Sequence, residues 1–304
     1  MPDNVLDQAL ESPSETVESA RLPEVWRQLD IRFECGWPGW LDHPWRLPSR
    51  LRGAIGQQMH RSASPQARDG LPCPWRPPSS WDVFFRDRRV SGLRQPLAKP
   101  WVISAEGDAG RARLAITIRL FGWAGEWAGE VAEAATQALS GAAPGGEAQR
   151  RLALDIRGRE MGVWEGAPDL DWPPGVPALV VFQTPVVFRA GQRAHPTLAG
   201  LPLRLADRLQ SLAPWMGVRL TVEAAALKRL ESDLERDERG LQPWRGWRGS
   251  VRQPRPVPVE GRVGSLLLGP PPAPLLPLLV LGQWTHVGSH AALGQGRYRV
   301  SPVG

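Results

Sequence analysis

The sequence is poor in lysine, cysteine and tyrosine, and it has no long apolar run. Of its 37 basic residues only Lys99 and Lys228 are lysines, so a net charge of +6 and a pI near 10.4 are carried almost wholly by arginine. A guanidinium fork grips phosphate oxygens in pairs and stacks on bases, which an ammonium cannot do. Codon usage in a GC-rich genome produces the same bias, but a basic balance favours a polyanionic partner either way. The two cysteines, Cys35 and Cys73, form no CxxC pair and cannot complete a structural zinc site alone. No metal and no cofactor are expected, and a reducing cytoplasm is the simplest location. The most apolar run, APLLPLLVLGQW, is too short and too proline-rich to cross a bilayer, which excludes a membrane partner. The polar, acidic opening MPDNVLDQALESPSETVESA is no signal peptide. No G-x-G-x-x-G follows a strand, so a dinucleotide site is not expected.

What is present is glycine and proline, 32 of each in 304 residues, which predicts many turns and more than one core. Residues 1–22 read as a flexible N-terminal arm. RQLDIRFEC (27–35) alternates, with Leu29, Ile31, Phe33 and Cys35 to one side, as in a half-buried strand. LPSRLRGAIGQQMHR (47–61) repeats Leu51, Ile55 and Met59 every four residues, a helix that Ser49 can cap. WDVFFRDR (81–88) reads as a strand, ARLAITIRLFG (112–122) as a second clear alternator, AGEWAGEVAEAATQAL (124–139) as a helix and 150–166 as a strand. That order is the split βαβ, or ferredoxin-like, order. APDLDWPPGVP (167–177) is a linker, and the order then recurs. It runs through a strand at 178–189, helices at 201–217 and 220–240, a hairpin over 244–269 turning near Glu260–Gly261, a helix at 272–288 and a closing strand at 296–302. The fold class expected is α+β, two tandem ferredoxin-like (RRM-like, βαββαβ) domains at 23–166 and 178–304.

Three places can carry chemistry. The C-terminal stretch HVGSHAALGQGRYRV holds Gly288, Gly294 and Gly296, with His290, Arg297 and Arg299. Glycines let a phosphate approach bare backbone amides, or they simply make a long turn. The hairpin interleaves Arg245, Arg248, Arg252, Arg255 and Arg262 with Trp244 and Trp247. That mixture suits RNA, whose bases stack on rings while arginines hold phosphates, and it also suits a basic edge strand kept soluble by charge. Arg46, Arg50 and Arg52 crowd the start of the first long helix, whose N-terminus favours anions, and Arg27 and Arg32 are read as lying on the polar face of the strand before it.

LRGAIGQQM (51–59), KPWVIS (99–104), RLAITIRLFGWA (113–124) and the tail from RGSVRQPRPVPVEGRVGSLLLG to LGQWTHVGSHAALGQGRYRV resemble the CRISPR precursor-RNA processing endoribonucleases of the RAMP superfamily. The resemblance is carried most strongly by H-V-G (His286–Gly288) followed by G-x-G-R-Y (Gly294–Tyr298). It implies binding of a CRISPR repeat stem-loop and metal-independent cleavage of precursor crRNA. A 2′-hydroxyl attacks the adjacent phosphate, leaving a 2′,3′-cyclic phosphate and a 5′-hydroxyl, and the crRNA is retained. The alternative is a non-catalytic crRNA-binding subunit of an effector complex, with other CRISPR effector subunits as partners. The family's catalytic histidine, where there is one, lies on or near the first helix. Here that implies His60 as base, or His43 in the loop before it, with Arg46, Arg50 and Arg52 stabilising phosphate. An arginine-only mechanism stays open. His286 is expected to pack or cap a helix end, and nothing argues for His195.

Overall fold

The computed structural model describes residues 5–141, 152–165, 172–190, 193–194, 197–250 and 253–303. The first half runs α1 (Val5–Glu11), β1 (Glu15–Glu18), β2 (Arg27–Gly36), α2 (Leu47–Arg61), the single turn α3 (Pro65–Arg68), α4 (Ser80–Phe85), β3 (Trp101–Asp108), β4 (Arg113–Phe121), α5 (Ala128–Leu139) and β5 (Ile156–Glu165). The second runs β6 (Ala178–Val186), β7 (Arg189–Ala190), β8 (Arg193–Ala194), α6 (Leu201–Leu212), β9 (Val218–Thr221), α7 (Ala224–Asp233), β10 (Arg236–Asp237), β11 (Leu241–Ser250), β12 (Gln253–Leu268), α8 (Leu276–Thr285) and β13 (Tyr298–Pro302).

Alternation builds the first sheet. Its order is β3-β4-β2-β5, antiparallel throughout, with Ile31 opposite Ile118 and Ile118 opposite Ile103. These side chains are fully buried, as are Leu51 and Ile55 of α2 and Val131 and Ala135 of α5, the helices that pack together over this face. The other face carries Asp30, Arg32 and Glu34 of β2, in register with Arg119, Thr117 and Ala115 of β4. The second sheet has the order β11-β12-β6-β13, with β10 preceding β11 along the same edge of β12. Numbered over the four strands of each path alone, both sheets read 2-3-1-4, the ferredoxin-like order. In the second half α6 and α8 pack on each other through Leu205, Leu209, Leu278 and Leu281, all fully buried. Tyr298 is enclosed, its hydroxyl donating to the Leu279 carbonyl at 2.6 Å.

Four expectations are corrected. The opening residues are not a loose arm from residue 5 onward. Leu6 and Leu10 are buried, and the Asp7 carboxylate accepts from Arg86 at 2.6 Å and Arg88 at 2.8 Å. β1 then pairs in parallel with β9, so this segment ties the first half to the second. Burial raises the Asp7 pKa, but the bonds from both guanidiniums outweigh it and hold the carboxyl below its usual range. Residues 80–85 form a helix rather than a strand, because Trp81 and Phe85 stack one turn apart, ring centroids 4.4 Å. The run at 220–240 breaks into β9, α7 and β10, since its charged end supplies the start of the β-ladder to β12. The hairpin reverses between Ser250 and Gln253. Glu260 and Gly261 lie mid-strand opposite Arg245 and Trp244, held there by the ladders on both sides of β12.

Candidate nucleic-acid interface

The two halves meet at the start of α2. A 3-10 turn (Pro44–Arg46) leads straight into the helix, so Arg46 takes the cap position and Ser49 already lies inside. The C-terminal loop between α8 and β13 comes from the other half and packs on the same place. Its own 3-10 turn, Ala291–Leu293, touches both β3 and α2. A side-chain carbon on Gly294 would lie 2.7 Å from the Ile103 carbonyl and 2.7 Å from Cβ of Pro48. Five residues of this loop have positive φ: His286, Gly288, His290, Gly294 and Gly296.

The loop's amides do not form a bare cradle. Gly294 N–H donates to the Ala291 carbonyl at 3.0 Å, Gly296 N–H to Pro185 at 2.9 Å, and Arg297 N–H to the Thr184 hydroxyl at 2.9 Å. Gly294 and Gly296 are themselves buried. The glycines therefore serve close backbone packing, and the surface presented outward is made by side chains. Arg299 is exposed, and Arg297 is half-buried, joined to Glu106 of β3, which Arg299 also approaches at 3.8 Å. Burial, then the neighbouring Arg299, pulls the Arg297 pKa down to about 10, so it stays cationic at neutral pH. His290 meets Arg189 at 3.4 Å. His286 is 2% exposed. Burial first, then the charges of Arg119 and Arg208, push its pKa down to about 3, so it is a neutral packing residue.

Residues grouped by sequence separate in space. His43, exposed, stacks on Trp45 (5.7 Å, 14°), and Trp45 meets Trp244 of β11 edge-on at 5.0 Å. Arg46 lies over the Trp45 ring and pairs with Asp42 at 3.2 Å; Arg50 lies over Trp40. These groups surround the helix start, beside the glycine-rich loop. Arg52 instead turns toward α4, over the Phe85 ring at 4.7 Å. His60 is twelve residues along α2 from Pro48, about 18 Å at the helical rise. It sits edge-on against Trp81 at 4.8 Å. Arg32 lies on the outer face of the sheet, half-exposed, 3.8 Å from Asp30. Arg27 does not share that face: it has the parity of Leu29 and Ile31, and is exposed because the strand begins there. In the hairpin Arg245 is exposed and pairs with Glu260 at 3.1 Å. The side chains of Arg248 and Arg255, all of Arg252, and His195 lie outside the described residues.

Sequence reasoning missed the contact that joins the halves beneath this surface. Arg119 grips Asp30 with two bonds of 2.6 and 2.7 Å, donates to the Trp284 carbonyl at 3.4 Å and lies over the Trp284 ring. A signal was available: both charges occupy outward positions in the middle of strongly alternating strands. Trp45 and Trp244 were also missed as a pair, because nothing in their spacing reveals that they meet.

Two ferredoxin-like units, with a glycine-rich loop of the second seated on the first long helix, define a tandem ferredoxin-like architecture. Residues 180–298 match the family model of the CRISPR-associated endoribonuclease Cas6. The product complex of Cas6 TTHA0078 is similar in fold, with TM-score 0.54 and 17% identity over 90% of this chain and 99% of that one. The product complex of Cas6 TTHB231 gives 0.54 and 18% over 91% and 100%. A substrate-mimic complex of TTHA0078 gives 0.53 and 16% over 90% and 99%. A search of the curated proteins returned no match. The second half of the chain thus matches the Cas6 family model, and the whole chain shares the fold of these Cas6 structures. Among its described residues no helix is long and apolar enough to cross a membrane.

Proposed function

We propose that this protein binds the stem-loop of a CRISPR repeat and cleaves precursor crRNA without a metal ion. The 2′-hydroxyl next to the scissile phosphate attacks, leaving a 2′,3′-cyclic phosphate and a 5′-hydroxyl, and the crRNA stays bound. The N-terminal unit, 23–166, supplies the cutting groups and the C-terminal unit, 178–304, holds the stem. His43 is the base that takes the 2′ proton, and Arg46 and Arg50 face the charge that develops on the phosphate. Exposed Arg299 and the arginines of the hairpin β11–β12 hold the RNA backbone.

One observation carries the choice of His43 over His60: the glycine-rich loop and the hairpin tryptophan Trp244 both meet the first half at the end of α2 where His43 lies. An RNA held by the second half is thus presented to His43, whereas His60 is a helix length away. The test is single-turnover cleavage of end-labelled repeat RNA in EDTA. His43→Ala should slow the reaction by ~10²–10⁴, and His60→Ala should leave it within a few-fold of parental. A parental rate for His43→Ala refutes the assignment. Tight binding with no cleavage by the unmodified protein leaves a crRNA-binding subunit of an effector complex.

A further inference from the structure

β5 forms one edge of the first sheet, and β2 is its partner among the described residues. Natural edge strands are blunted by lysine, proline, shortness or bulges. β5 runs for ten residues with no lysine and no proline, and its one irregularity lies at its first residues, against Glu34 and Cys35. It leaves Met161 56%, Val163 67% and Trp164 52% exposed. Apolar side chains are thus bare on both faces of a strand whose outer backbone groups have no ladder partner among the described residues.

The strand is complementary to itself. Its register with β2 puts Arg159, Met161, Val163 and Glu165 on the helix-covered side, and Glu160 and Trp164 on the other. An antiparallel pair of such strands about a two-fold axis at Gly162 sets Met161 opposite Val163 and Arg159 opposite Glu165. Trp164 then falls opposite Glu160. One face of the junction reads Arg–Glu, Met–Val, Val–Met, Glu–Arg, with every charge opposite its counter-charge and the apolar residues together. Other registers are poorer. An axis at Met161 places Arg159 against Val163 and asks for Arg157, which already binds Asp155 at 3.0 Å. An axis at Glu160 opposes two glutamates, and any odd shift sends each side chain to the wrong face.

We propose that β5 is the surface on which two copies of this chain associate, joining their first sheets edge to edge about Gly162. Such a contact is isologous, each patch meeting its own copy. It is independent of the cleavage reading, because the helix-start surface lies beyond the opposite part of the sheet, against β3.

Light scattering and sedimentation of the full chain without RNA, across the micromolar range, test it. The parental protein is expected to be a dimer. Arg159→Glu or Glu165→Arg puts two like-charge oppositions into each dimer and should raise the dissociation constant roughly tenfold or more. The double reversal restores both pairs and should recover association, which loss of folding would not do. Met161→Lys should also give monomer while keeping the parental melting temperature. A monomer at every concentration overturns the proposal. So does a dimer indifferent to both single reversals, or a double variant that does not recover.

Discussion

Replacing Gly294 by alanine separates two accounts of the glycine-rich loop. If the glycines expose amides to phosphate, the variant should fold normally and bind RNA poorly. If they let the loop settle on the first helix, the variant should be unstable before any RNA is added. The geometry favours the second account. Gly294 has φ +84°, a conformation costing an L-residue about 1 kcal/mol or a little more. Its new Cβ would also lie 2.7 Å from both the Ile103 carbonyl oxygen and Pro48, atoms that cannot swing aside. Overpacking of this kind adds ~1–3 kcal/mol. The sum, about 2–4 kcal/mol, is a large part of the ~5–15 kcal/mol that holds a typical protein folded. Gly70→Ala is the matched control: φ is +81° and nothing lies within 4 Å, so only the backbone cost applies. Thermal melts of the RNA-free protein should show Gly294→Ala falling by ~5–10 °C and Gly70→Ala by a few degrees at most. A parental melting temperature for Gly294→Ala, with RNA affinity lost, would refute the packing account and restore the amide cradle.

Three further outcomes are expected. His286 stays neutral in the fold, its pKa about 3 against ~6.5 unfolded. The unfolded chain therefore takes up a proton that the native state refuses as pH falls from about 6.5 toward 3. Stability present above that window should decline through it by up to ~1.4 kcal/mol per pH unit. His286→Asn, which removes the titrating ring and keeps a polar side chain, should flatten the decline in urea melts at pH 7.5 and 5. Asp7→Ala leaves Arg86 and Arg88 short of a buried counter-charge and should cost roughly 2–4 kcal/mol in the same melts, with RNA cleavage by the folded fraction unchanged. Arg299→Ala should reduce the slope of log affinity against log salt for single-stranded repeat RNA by about 0.7, as loss of one phosphate contact requires.

The sheets were legible because alternation reports burial directly. Ile31, Phe33, Ile116 and Ile118 had to share one face, and they do. The ferredoxin-like order followed in outline, although the second strand of the first sheet is Trp101–Asp108 and not 81–88, where a helix stands. The opening segment was illegible for the opposite reason. Leu6 and Leu10 are too few to show a period, and their value comes from Arg86, Arg88 and β9, all distant in sequence. WDVFF is equally apolar as strand or helix, and only the Trp81–Phe85 stack, a tertiary outcome, decides.

The candidate site shows where residue type stops being informative. Arg46, Arg50 and Arg52 are near-equivalent in sequence, yet a helix advances about 100° per residue, and Arg52 is carried round onto Phe85 while Arg50 stays with Trp40. His43 and His60 differ by one helix length, a distance that matters only once the other half is in place. What selects between them is the seat of Gly294 on Pro48 together with the meeting of Trp45 and Trp244. Both contacts cross from one half to the other. On the proposed reading, the position of the cutting groups relative to the RNA is set by the joint between two similar units, and a perturbation of that joint should impair cleavage even where every histidine and arginine is intact.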